Sequence, residues 1–573
     1  MTTEKRLLLA AALSLGVLLL WTKLFPEPKP AALPRQAQTA GAAAPSSSSS
    51  IAPASEVAAA PAQAPSLSSS IPAPAAATQE TLTTVENELL RATFSNRGGV
   101  LTSLVLLKYK DAEGRPLELV RALPPEAPRP FALDFGVDAE ATRRVGKALF
   151  VVEKEAAGAV RLRFADAGVG VEKRIRLGAD YLFDVQVAVA GPACRLFVGP
   201  GLRNTTERER ASSYVQPPTA IASVGGSIDR MYADKAEKLS TAAGKEGRES
   251  APWPIAPGGF AGIEDNYFLA VLAPKSAAAA HVVPFVHMDE AGKPQIEVGV
   301  ALAVPAEGQM KAYFGPKELD ILARQGLGLE RTVDFGAAVP VVGAIFDAVA
   351  RPLLWLLKKT YARVHNYGWS IIIVTLLIRI LIFPLVHKSY ASMKKMQTLA
   401  PKMKAIKDKY KGKTTIEQRN KMNQELMALY QAEGYNPMSG CFPVLLQMPV
   451  FIGFYNVLRS AIELRQAPWI LWVHDLSAVD STYVLVILMV VTMFIQQALT
   501  PASVDPMQKR IFMALPFIWG FFLKDMPSGL VLYWLFSNVL TILQQLLIKR
   551  MGAKDEPPKG ARARKARPER VAT

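Results

Sequence analysis

Residues 370–386 read SIIIVTLLIRILIFPLV, a stretch apolar enough for the interior of a bilayer except that Arg379 stands near its middle. On insertion scales an arginine at the bilayer centre costs about 2.5–3.5 kcal/mol, while about a dozen Ile, Leu, Val and Phe neighbours favour insertion by about 0.3–0.6 kcal/mol each. The segment therefore inserts, but its charge still needs a partner. The remedies are an internal carboxylate, a water-filled hollow, or snorkelling to the interface. No Asp or Glu lies inside any of the five apolar stretches in the C-terminal half. Snorkelling would have to bridge roughly seven residues, about 10 Å along a helix axis, to the end at Val386. A hydrated groove is the better answer.

The whole chain agrees with a membrane setting. Its 573 residues are half apolar, and a net charge of +17 with a pI near 9.6 implies polyanionic neighbours, anionic lipid head groups or ribosomal RNA. No DNA partner is expected. Cys194 and Cys441 stand alone, and the histidines at 281, 287, 365, 387 and 474 have no metal-ligand spacing, so neither a disulfide framework nor a metal or other cofactor is expected.

Outward from the arginine, composition divides the chain. Residues 1–25 pair Lys5 and Arg6 with an apolar run and no adjacent A-x-A site, which reads as a signal anchor starting in the cytoplasm. Residues 26–79, almost wholly Pro, Ala, Ser and Gln, form a disordered tether. From 80 to 336 short alternating runs such as VRLRF (160–164) and FDVQVAV (183–189) predict an all-β sandwich beyond the membrane. It shows no catalytic constellation, and its acids read as solvated faces. Residues 337–366 are broken by Asp347, Arg351, Pro352 and the Lys358–Lys359 pair into an amphipathic helix lying in the outer interface.

Spans are expected at about 368–386, 441–459, 482–500, 509–523 and 529–548, six with the anchor, within a core of 367–550. Between His387 and Gly440 lie eleven Lys or Arg against four acids, and the tail at 551–573 is again basic, whereas Ser460–Ser481 has one Arg and three acids. Both termini are thus cytoplasmic. The basic stretch 388–438 is itself predicted to be a helical hairpin with a break at Lys411–Gly412–Lys413 and an apolar stripe of Ile416, Met422, Leu426 and Leu429.

Other polar residues share the apolar stretches: Thr375, one turn before Arg379, then Gln447, Gln496, Ser537 and Asn538. Taken singly, each could serve as an interhelical hydrogen bond. Twelve of the seventeen methionines fall between 390 and 530, where a soft wall would suit varied apolar shapes, and prolines at 384, 443, 449 and 516 would loosen or kink these helices. Together these describe a site for something partly apolar and partly acidic.

Five long motifs in order, GWSIIIVTLLIRILIFPL, NPMSGCFPVLLQMPVFIGFYNVL, ELRQAPWILWVHDLS, DPMQKRIFMALPF and PSGLVLYWLFSNVLTILQQ, resemble the insertase family of bacterial YidC, the mitochondrial oxidase-assembly and the chloroplast Albino proteins. The resemblance covers roughly 340–550, and the anchor, tether and β region resemble the Gram-negative form with its periplasmic supersandwich. It implies a non-enzymatic membrane protein insertase and chaperone of the inner membrane with a five-helix core. Its partners would be nascent membrane proteins, the ribosome, and the Sec translocon with its accessory proteins. By resemblance Arg379, Thr375 and the Trp534 position line the groove, where the polar Gln447, Gln496 and Asn538 are also expected, and Phe442, Met448, Phe451, Ile511, Phe512 and Phe517 line a slide along which the client's apolar segment passes into lipid. Trp534 stands where well-known members carry a second Tyr, which puts a hydrogen-bonding role there in question. Tyr533, one residue away and about 100° around the helix, does not simply replace it.

Two other function classes would place an arginine here. A secondary transporter for an anion is expected to show internal repeats, and none is evident across the five spans. An intramembrane serine hydrolase built on Ser439 or Ser528 needs a base, and neither His387 nor His474 lies within a clear span.

Overall fold

In a computed structural model of the chain, residues 76–554 are described, apart from segments at 156–157, 167, 206–208, 210–214, 246–250, 290–291, 337–342, 413–414, 435–441 and 500–505. The expected anchor, all but the last four residues of the expected tether and most of the basic tail lie outside the described residues.

Alternation builds the β region. In the strand Ala159–Ala165, Val160, Leu162 and Phe164 are buried while Arg161 and Arg163 face outward to Glu172 and Glu153, as a period of two requires. Eighteen described strands form three antiparallel sheets of four, five and nine strands. The nine-stranded sheet runs from Ser227–Tyr232 at one edge to Val151–Glu155 at the other. Phe94 of the four-stranded sheet stacks on Phe131, which meets Phe183 and Phe314 of the nine-stranded sheet edge-on, so aromatic contacts tie the two sheets into one core.

The region is not all-β. Helices α1 (Ala139–Lys147), α2 (Ala233–Lys245) and α3 (Leu319–Arg324) interrupt it. The first is capped by Asp138, whose carboxylate accepts from the Ala141 amide at 2.8 Å, and buries only Ala141 and Val145. A face that narrow leaves no helical periodicity to read.

Nor are its acids all solvated. The turn Glu264–Asn266 is buried and holds five residues distant in sequence. Glu264 accepts from Arg230 at 2.7 Å and Lys317 at 2.9 Å. Asp265 accepts from Arg203 at 2.6 Å and from the amides of Tyr267 and Phe268. Asn266 accepts from the Gln216 amide at 2.6 Å and donates to the Arg459 carbonyl at 3.1 Å. These partners lie far away in sequence, so local composition gives no sign of them.

The remaining described helices are α4 (Gly343–Val364), α5 (Tyr367–Lys409), α6 (Ile416–Ala432), α7 (Phe442–Ser460), α8 (Val484–Leu499), α9 (Pro506–Leu523) and α10 (Ser528–Lys554). The apolar parts Tyr367–His387 of α5 and Ser528–Ile548 of α10 are long enough to cross a membrane, whereas α8 and Phe512–Leu523 are shorter apolar helices. Helix α5 does not end near Val386. It continues through Pro384 and Pro401 to Lys409, so the first arm of the expected hairpin and the span before it are one 43-residue helix. Hydropathy marks where a helix leaves hydrocarbon; the Lys-, Ala- and Met-rich sequence beyond still favours helix. Likewise α10 runs on to Lys554, into the expected tail. Leu399 and Met403 of α5 pack against Leu426, Leu429 and Tyr430 of α6, while Ile416 of the expected stripe is exposed.

Helix α5 is fixed at its start. Asn366 caps it, accepting from the Trp369 amide at 3.1 Å, and Tyr367 stacks on Tyr361 of α4 at 4.1 Å. Helix α10 packs along α5 and α8, α9 on α8, and α7 on α4. The bundle meets the β region through Asn456 to the Phe335 carbonyl at 2.8 Å and Ser460 to the Asp334 carbonyl at 3.0 Å. Lys358 of α4 adds an ion pair to Glu463 at 3.3 Å and another to Asp320; burial pushes the Glu463 carboxyl upward while Lys358 opposes it.

Candidate functional site

Parallel packing of α5 and α10 brings Arg379 to Ser537: Ile371 lies against Gly529, and eight residues further along each helix are the arginine and the serine. The guanidinium, which has donors only, gives a hydrogen bond to the Ser537 hydroxyl. Among the described residues no carboxylate comes within ion-pairing distance of Arg379. One turn before Ser537 on α10 is Tyr533, 2 % exposed, whose ring stacks on Phe454 of α7 at 4.3 Å and whose hydroxyl accepts from Gln447 of α7. Arg379, Ser537, Tyr533 and Gln447 thus make one polar group spanning three helices inside an apolar bundle.

Three of the other expected groove residues make their hydrogen bonds or ring contacts with groups other than the arginine. Thr375 is buried, but its hydroxyl donates to the Ile371 carbonyl of its own helix at 2.6 Å. Asn538 donates to Thr492 of α8 at 3.3 Å, an interhelical bond on another side of α10. Gln496 is half-buried on α8. Trp534 does not face the arginine. Its ring meets Phe451 of α7 edge-on at 4.8 Å and lies 5.2 Å from Trp519 of α9. The 100° that sets Tyr533 apart from Trp534 is what directs the tyrosine to the polar group and the tryptophan to the seam between α7 and α9.

That seam is where the slide is expected. Met448 is 40 % exposed and Phe451 half-buried on α7. On α9 Phe512 and Phe517 are exposed, the latter packing edge-on to Phe494 of α8 at 4.8 Å. Phe442 and Ile511 lie in α7 and α9, and their side chains fall outside the described residues.

Of the two serines weighed as nucleophiles, Ser439 lies outside the described residues. Ser528 gives its hydroxyl to the Asp475 carbonyl at 2.7 Å, an acceptor that cannot serve as a general base. The described residues contain no cluster of metal-ligating side chains.

Comparison with known proteins places this bundle. Residues 359–555 match the family described as 60Kd inner membrane protein, and residues 82–356 match the YidC periplasmic domain. The membrane protein insertase YidC of Geobacter metallireducens is 36% identical over 586 residues, covering 96% of this chain and 99% of that protein. The chain belongs to the YidC insertase family. The YidC of Citrifermentans bemidjiense is likewise 36% identical, over 571 residues covering 96% of this chain and 99% of that protein. A crystal structure of active YidC insertase with its first transmembrane domain resolved matches 82% of this chain and 94% of its own, with 18% identity and a TM-score of 0.34.

Proposed function

We propose that the chain is a membrane protein insertase of the inner membrane, in which Arg379 receives the acidic, hydrophilic part of a client while the client's apolar segment leaves along α7 and α9. The observation that carries this reading is the company the arginine keeps: a cation in an apolar bundle whose hydrogen-bond partner among the described residues is the neutral hydroxyl of Ser537. At about 4 Å and an effective dielectric near 20, a client carboxylate would gain about 4 kcal/mol before desolvation, enough to capture and weak enough to release. The membrane potential would add about 2.3 kcal/mol per acidic charge per 100 mV. The exposed aromatic and Met faces of α7 and α9 suit varied apolar segments.

In this reading the β region is periplasmic, the helical arm of α5 and α6 is cytoplasmic, and both termini are inside. Its lysines suit ribosomal RNA, nascent chains and anionic lipids. Insertion proceeds alone or beside the Sec translocon, and the reaction makes or breaks no covalent bond.

The test is insertion of a single-span client with an acidic translocated tail into liposomes holding only this protein, scored by protease protection. Wild type and Arg379→Lys are expected to insert, and Arg379→Ala to fail. Equal insertion by all three would remove the arginine's role but keep the insertase. Failure of wild type with any client, even with Sec added, would end the reading.

A further inference from the structure

Between α7 and α8 the connection contains APWILWV (467–473), seven apolar residues where a water-facing loop would be polar. Its N-terminal end is tied to the β region: Arg465 donates to the Lys110 carbonyl at 3.0 Å and Gln466 to the Asp111 carbonyl at 2.9 Å. Its middle is tied to the start of α5. Asn366 donates to the Trp469 carbonyl at 3.1 Å, and the Trp469 ring lies so close over Gly368 that a Cβ there would sit 2.1 Å from it. The Trp469 amide bonds the Val473 carbonyl and the Val473 amide the Ile470 carbonyl, closing a turn with Leu471 at its tip.

That tip is built in a disfavoured way. Leu471 adopts φ +53°, where its Cβ crowds the backbone, and it holds its side chain 75% exposed beside Ile470, 38% exposed. In water such a tip would gain from being polar or glycine. It adjoins an apolar surface that already exists. Trp469 meets Trp369 edge-on at 5.9 Å, and Trp369, 44% exposed, begins the stripe that continues at the exposed Leu376 and Ile380, seven and eleven residues on along one face of α5. Paired tryptophans at the outer end of a span are the side chains that favour the level of the lipid head groups.

We propose that the Ile470–Leu471 tip is seated in the outer leaflet of the bilayer, so that this loop is a lipid anchor fixed at one side to the periplasmic domain and at the other to the membrane. The inference rests on the reading that α5 spans the membrane with its start outside.

The test places nitroxide labels, one at a time, at Ile470→Cys, Leu471→Cys, Leu381→Cys and Val137→Cys in the full chain with Cys194→Ala and Cys441→Ser, reconstituted in phospholipid vesicles. Collision with oxygen, which concentrates in lipid, is compared with collision with a water-soluble nickel chelate. The oxygen-to-nickel ratio at 470 and 471 is expected to lie with that of 381, on the exposed face of α5, and several-fold above that of 137 in the β region. A ratio at 471 equal to that at 137, with 381 in lipid, would overturn the anchor alone. A water-like ratio at 381 would overturn the spanning assignment beneath it. Spin–spin broadening at 471 that survives dilution with lipid would mean that a second copy of the chain covers the tip, which also defeats the proposal.

Discussion

Arg203 in the β region and Arg379 in the bundle are both arginines in low-dielectric surroundings, and they are treated in opposite ways. Arg203, 1% exposed, is held by Asp265 at 2.6 Å and Glu209 at 2.9 Å, with its cation over the Phe268 ring. Arg379 is held by the hydroxyl of Ser537. A cation neutralised by two carboxylates is finished: it fixes a turn and has nothing left to attract. A cation answered by one neutral acceptor keeps its field, which in the proposed function is met by an incoming acid. Under that proposal the contrast separates a buried charge used for architecture from one held in reserve.

If the contrast is right, supplying Arg379 with a carboxylate should silence it. Ser537→Asp is expected to lower insertion of an acidic-tailed client by more than about tenfold, as an internal ion pair of about 4 kcal/mol competes with the client. Clients with uncharged tails should be affected far less, and comparing the two in liposomes checks this. The reverse operation on the other arginine acts on stability. Asp265→Asn leaves Arg203 with half its counter-charge and is expected to destabilise the β region by about 3–5 kcal/mol in thermal melts of the full chain in detergent, with Arg379-dependent capture unchanged at low temperature.

A third buried cation provides a pH test. Lys173, fully buried, gives its three protons to the carbonyls of Gly98, Gly99 and Phe131 at 2.8–2.9 Å, and burial lowers its pKa from 10.5 to about 7. Between those values the unfolded chain binds the proton more readily than the folded one. Stability should therefore rise as pH increases from about 7 toward 10, by up to about 1.4 kcal/mol per unit, and should be lost again on acidification. Melting the full chain across this range checks the sign, and Lys173→Met should flatten the slope. The smallest effect is expected at Trp534. Tyrosine there keeps an aromatic edge for Phe451, a contact worth about 0.5–1.5 kcal/mol, so Trp534→Tyr should change insertion by less than about threefold.

Which of these arginines the sequence discloses follows from where their partners lie. Arg379 is visible because everything near it in the chain is apolar. Arg203 is not, because Asp265 lies 62 residues away and Arg203 itself sits in a polar stretch. The strands announce themselves by alternation, but α1, with two buried residues, is silent. The continuation of α5 to Lys409 is hidden because loss of hydropathy resembles an end of helix. At the site, Gln447 and Ser537 are legible as polar residues in apolar helices, whereas the choice between Tyr533 and Trp534 depends on the rotation of α10 against α5 and α7, a property of packing that no single segment contains.

The turn Glu264–Asn266 bears on where this chain can change length. Surface loops ordinarily accept inserted residues. Here three successive side chains each answer a different segment, so one added residue would pass Arg203, Arg230 and the end of α7 to the wrong neighbours. The Gly225–Gly226 turn at the edge of the nine-stranded sheet is the opposite case, with nothing within 4 Å of a Cβ at either glycine. A tag or reporter belongs there, and a library of random insertions should be recovered densely at 225 and be empty at 265.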